Sequence, residues 1–168
     1  TGALFLMVGI LYERRHTRLI ADFGGLWKAI PAFSVLFMIV SLSSLGLPGL
    51  NGFVGEFLIL VGAFAWASGP SAAPAAYLVP VLATSGIVFA AVYLLWMYQR
   101  VCFGEITSEA NRGLADLTGR EWAVLLPVLL FIVWIGVYPR PFTGMTEASV
   151  QALITQVQSK VAAAPGGR

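Results

Sequence analysis

Charge is scarce in this sequence. Only 11% of its residues are Asp, Glu, Lys or Arg, against roughly 25% in soluble domains. Between Lys28 and Arg100 a single charged residue occurs, Glu56. Cysteine and histidine are rarer still, one of each. Cys102 alone forms no intrachain disulfide and no thiolate metal cluster. With His16 as the one imidazole, zinc and haem sites lack ligands, so neither a metal nor a cofactor is expected in this chain. The basic residues lie between apolar runs rather than in one patch, which argues against nucleic acid as a partner.

Apolar residues fill the rest, at 58% of the chain. That balance excludes a soluble enzyme and predicts an all-α integral membrane protein, a polytopic helix bundle in the lipid bilayer. The first apolar run, residues 3–12, is followed at once by Glu13-Arg14-Arg15-His16. It is half of the about 20 residues a span needs. Nor is it a signal peptide, because the basic residues follow the apolar run and no small-residue cleavage site follows it. Residues 1–13 are therefore expected to be the last half of a spanning helix, and the chain the C-terminal piece of a larger protein.

A polar connection, residues 13–28, leads to a long apolar run at 31–66. The middle of that run is broken by Gly46, Pro48, Gly49 and Gly52. Proline removes a helix donor, and glycine permits the backbone excursions around it. The run is expected to form one discontinuous transmembrane helix, with two short spans and a re-entrant hairpin as the alternative. An uncharged loop at 67–76 and a clear span at 77–99 follow, the latter ending in Gln99-Arg100. Thr118 and Glu121 have the spacing of a capping box and predict the start of the last span, 121–138, which Pro127 is expected to kink. Residues 1–142 then form the transmembrane region. The tail, 143–168, reads as a short surface helix before a disordered Ala-Pro-Gly-Gly end. Seven of the ten basic residues fall in the connections 13–28 and 100–120. The positive-inside rule puts that side in the cytoplasm and the C-terminus outside, in a bacterial inner (cell) membrane.

Glu56 follows the break directly. A lone carboxylate in an apolar span is expensive and is a functional-site hypothesis by default. With the second half-helix starting near Gly52 or Phe53, Glu56 lies in its first turn. The helix dipole there favours the charged carboxylate, while burial favours the protonated one. The balance turns on hydration and on a cationic neighbour, which no residue of these spans supplies. Glu56 is the expected proton-transfer residue. Ser41, Ser44, Asn51, Thr84 and Ser85 are candidates for a water path beside it, and Arg100 for a cytoplasmic-side role beyond anchoring an interface. The plainer alternative is a packing kink with a helix-start carboxylate.

Gly46-Leu47-Pro48-Gly49 followed by Gly52-Phe53-Val54-Gly55-Glu56-Phe57-Leu58-Ile59-Leu60 resembles the M-type antiporter-like subunit of proton-pumping NADH:quinone oxidoreductase, called chain 4 in mitochondria. Tyr12-Glu13-Arg14, His16-Thr17-Arg18, the helix end at Tyr98, Arg100-Val101 and Phe103-Gly104, and Gly136 with Tyr138-Pro139 are similar too. The resemblance implies the C-terminal part of an inverted-repeat antiporter-like fold, with Glu56 on the family's terminal proton-channel carboxylate. It implies an enzyme complex whose redox chemistry lies in other subunits, and L-type and N-type antiporter-like neighbours as partners. The family's first-repeat channel residues are absent here. Alternatives are a subunit of a multi-subunit cation/proton antiporter or membrane-bound hydrogenase, or a non-conducting scaffold.

Overall fold

A computed structural model describes residues 1–70 and 72–163. Among them the chain is helical and contains no strand. It divides into two units, Thr1–Val137 and Tyr138–Arg168.

In the first unit, α1 (Gly2–Arg15) buries Ala3, Met7 and Leu11, one stripe at helical spacing. It ends where the exposed His16 turns left-handed at φ 52° and donates its N–H to Tyr12 O, 2.7 Å away. The connection beyond carries polar residues yet folds inward. Phe23, Leu26 of the short α2 (Leu26–Ala29) and Ile30 are all buried. Gly25, at φ +66°, lies against the Glu105–Ile106 backbone and donates to Phe103 O at 3.1 Å. Only glycine fits there. Lys28 closes the same corner by pairing with Glu105 at 2.7 Å, which holds that exposed carboxylate below its usual range.

Helix α3 (Pro31–Ser44) opens on proline, where the missing N–H costs nothing. Its next two N–H groups, Ala32 and Phe33, donate to the Asp116 carboxylate at 2.9 and 3.0 Å. Phe33, Leu36 and Phe37 pack with Met7 and Leu11 of α1, with Leu125, and with Tyr98, Val101 and Cys102. Tyr98 donates its hydroxyl to Ser34 O at 2.9 Å, satisfying a buried polar group.

Helices α4 (Asn51–Ala67), α5 (Leu78–Cys102), the short α6 (Glu109–Arg112) and α7 (Gly119–Val137) complete the unit. The stretch Ala75–Cys102 and α7 are each long and apolar enough to cross a membrane. Pro127 lies inside α7, and the helix continues through it. Thr118 and Glu121 exchange the reciprocal bonds of a capping box, Thr118 N to Glu121 Oε2 at 2.7 Å and Glu121 N to Thr118 Oγ1 at 3.4 Å. Glu121 also receives Arg14 of α1 in a two-pronged pair, at 2.6 and 2.8 Å. The rest of the Arg14 fork is spent on the carbonyls of Ala115, Ile10 and Asp116. One guanidinium thus ties α1 to the start of α7 and to the loop that caps α3.

The second unit holds α8 (Arg140–Ala163). The Ala-Pro-Gly-Gly end lies outside the described residues.

Candidate functional site

The break between α3 and α4 is an ordered structure. Leu45 is the last helical-type residue of α3, and Gly46 turns left-handed at φ +71°. Gly46 N donates to Ser43 O at 3.3 Å and Leu47 N to Leu42 O at 3.1 Å, the two bonds of a Schellman end. Leu47, Pro48, Gly49 and Leu50 then form a tight turn closed by Leu50 N to Leu47 O at 3.0 Å. Proline at its second position and glycine at φ +92° at its third are the residues a type II turn demands. Leu50 is extended (φ −116°, ψ 156°), and α4 starts at Asn51. Across the gap, the Ser43 hydroxyl donates to Asn51 Oδ1, and Gly52 lies against Ser43 O so closely that a Cβ would overlap it.

The unpaired backbone matters chemically. The carbonyls of Leu45, Gly46, Pro48 and Gly49 receive no backbone donor among the described residues. The fully buried Ser41 hydroxyl likewise has no partner among them. Such groups are costly away from water and are the kind that bind ordered water.

Glu56 sits half-buried beside this backbone. Its carboxyl lies on Gly46, and a Cβ at that position would overlap Oε2. Gly46 therefore serves two ends: its φ and the room it leaves for the carboxylate. Because α4 begins at Asn51, Glu56 is in the second turn rather than the first, which corrects the sequence expectation. Among the described residues no cation pairs with Glu56.

The other sequence candidates are placed variously. Ser41 and Asn51 belong to the break, and Ser44 is half-buried at the end of α3. Thr84 and Ser85 on α5 spend their hydroxyls on their own helix, at Pro80 O (2.8 Å) and Leu82 O (2.7 Å). Arg100 is exposed and lies over the Trp96 ring, 4.7 Å from its centroid. No group of three His, Cys, Asp or Glu side chains fit to hold a metal occurs among the described residues.

Sequence reasoning missed three contributors. Asp116 caps α3 from 83 positions away, a pairing that no local pattern signals. Arg14 is the unforeseen partner of the capping-box glutamate. Gly136 of α7 lies directly on the turn of the break, where a Cβ would overlap Gly49 C and O and Leu50 Cα.

Comparison with known proteins agrees with this architecture. Residues 1–73 match the transmembrane family described as NADH:quinone oxidoreductase/Mrp antiporter. Subunit M of the NADH-quinone oxidoreductase of Rhodobacter capsulatus is 42% identical over 92% of this chain and 28% of its own length. The chain is homologous to this subunit over most of its own length. Chain 4 of the NADH-ubiquinone oxidoreductase of Arabidopsis thaliana is also 42% identical, over 92% of the chain and 29% of its own. A chain in the structure of respiratory complex I from Thermus thermophilus with bound NADH superposes with a TM-score of 0.68. It is 37% identical over 80% of this chain and 26% of that one. The chain thus spans under a third of the length of these relatives. Helical among the described residues, with two helices long and apolar enough to cross a membrane, the chain is an integral membrane protein.

Proposed function

We propose that this chain supplies a proton-carrying part of a membrane subunit of NADH:quinone oxidoreductase, with Glu56 as the residue that takes up and releases the proton. The observation that carries the reading is the seat of Glu56: a half-buried carboxyl on Gly46, beside carbonyls that receive no backbone donor among the described residues. Water held by those carbonyls and by the Ser41 hydroxyl conducts protons to and from the carboxyl, and Ser44 and Asn51 border the same path. Each cycle protonates Glu56 from one side of the membrane and deprotonates it toward the other. Electron transfer in other subunits drives the alternation, and this chain holds no redox group. Antiporter-like neighbours of the L and N types flank the subunit in a bacterial inner membrane. The side that carries Arg14, Arg15, Arg18 and Arg100 faces the cytoplasm, and the C-terminus faces the other side.

The description of the matched family also names the Mrp antiporter, which leaves an antiporter subunit as the second reading. Identity of 42% to oxidoreductase subunits favours the oxidoreductase over that second reading.

The test is proton uptake by membrane vesicles bearing the assembled complex with Glu56→Gln, followed together with NADH oxidation. Loss of pumping with slowed oxidation in an assembled complex is the expected result. Normal pumping would leave Glu56 a structural carboxylate and the chain a scaffold.

A further inference from the structure

The turn of the break has little holding it from within. A single backbone hydrogen bond, Leu50 N to Leu47 O, closes it. Its outer support comes from α7. Gly136 lies on Gly49 and Leu50 so closely that a Cβ would overlap the Gly49 carbonyl carbon and oxygen and Leu50 Cα. Backbone overlap of that kind is not relieved by turning a side chain; the turn or the helix must shift. One helical turn earlier, Ile132 is buried with Val40 of α3, and Leu50 packs against the same cluster. Gly136 therefore bears on the turn directly, and Ile132 on the same face of α7 belongs to the cluster on which Leu50 packs.

The other side of the break receives Glu56. Leu50 precedes the first residue of α4, so the position of Leu50 sets where α4 begins and where its second turn points. Gly46, against which the carboxyl rests, is joined to Leu50 through the same turn. Displacing Gly49 and Leu50 changes the separation between the Glu56 carboxyl and the carbonyls around Gly46.

We infer that Gly136 is a positioning residue for proton transfer: its lack of a side chain lets α7 seat the Gly49–Leu50 backbone and thereby fixes the Glu56 carboxyl against the break. The inference rests on Glu56 carrying the proton, as proposed above. Gly136 touches no reacting group and acts only through the turn.

The experiment uses the assembled complex in membrane vesicles and compares Gly136→Ala, Glu56→Gln and the double variant. Gly136→Ala is expected to lower NADH-driven pumping about tenfold, less than the roughly hundredfold that a full ångström of misplacement can cost a reacting group. On the Glu56→Gln background it is expected to cause no further loss, since both changes act on one step. The infrared carboxyl band that Glu56→Gln removes is expected to shift in Gly136→Ala, which a merely structural role for the glycine would not produce. Wild-type pumping with an unshifted band overturns the inference, and so does an independent loss that multiplies with that of Glu56→Gln. If Gly136→Ala does not assemble, Ile132→Val removes one methyl from the cluster on which Leu50 packs without inserting an atom. It is expected to shift the same band and lower pumping about twofold, a lesser misplacement of the same group. A wild-type band and rate in Ile132→Val then overturn the inference. Normal pumping by Glu56→Gln instead removes the reading on which it rests, so the two failures are distinguishable.

Discussion

The two halves of the broken helix differ in what surrounds them. Helix α3 buries Phe33, Ser34, Leu36, Phe37, Val40, Ser41 and Ser43, half of its 14 residues. Helix α4 has 17 residues and buries only Ala67, leaving Phe57, Leu58, Ile59 and Trp66 exposed at 50–70%. Both are strongly apolar overall, so hydropathy does not distinguish them. Packing does: α3 lies among α1, α5 and the inward-folded connection, and its first N–H groups are held by Asp116. Helix α4 packs against α7 and α5 yet keeps most of its side chains exposed, and it is joined to α3 by a turn and a Ser43–Asn51 bond. The lesson is a division of labour along one broken span. The half before the break is a fixed anchor, and the half bearing Glu56 leaves most of its surface for lipid or other protein.

That contrast is open to test. Phe33→Ala on α3 opens a cavity beneath α1 and α5, and its expected cost is about 3–5 kcal/mol. A lowered thermal midpoint and reduced yield of assembled complex would register it. A cost under about 1 kcal/mol, as at exposed positions, would break the picture of α3 as the anchor. Asp116→Ala removes the acceptor for Ala32 and Phe33, and the loss of such a cap is expected to cost about 1–2 kcal/mol. Asp116→Asn, which keeps one acceptor oxygen, is expected to recover part of that in the same thermal measurement. At the low end stands Phe57→Ala on α4, with an expected cost of about 0.5 kcal/mol or less. A cost near that of Phe33→Ala would sharpen the comparison differently: it would mean that another protein surface packs on α4.

Local chemistry made part of this site legible in advance. Gly46, Pro48 and Gly49 announce a break because each residue type is demanded by a particular dihedral or missing donor. The capping box at Thr118 and Glu121 is readable for the same reason, being a contact between residues three apart. The glycines place the start of α4 one or two residues late, which puts Glu56 in the first turn instead of the second. Helix boundaries depend on competition among neighbouring caps and turns, and here the type II turn ends sooner than the glycines suggest. Asp116, Arg14 and Gly136 were not legible as partners at all. Each acts across a long separation in sequence, and glycine in an apolar run looks the same whether or not a backbone lies against it.

By itself, then, the sequence determined a membrane-embedded helix bundle, the place of its break and the one carboxylate beside it. Those follow from local costs: apolar side chains in water, prolines without donors, and charge in lipid. Only the tertiary structure decided that the carboxyl rests on Gly46, that Asp116 anchors α3, and that Gly136 seats the turn. Those are contacts between distant segments, and their geometry exists only once the helices have packed.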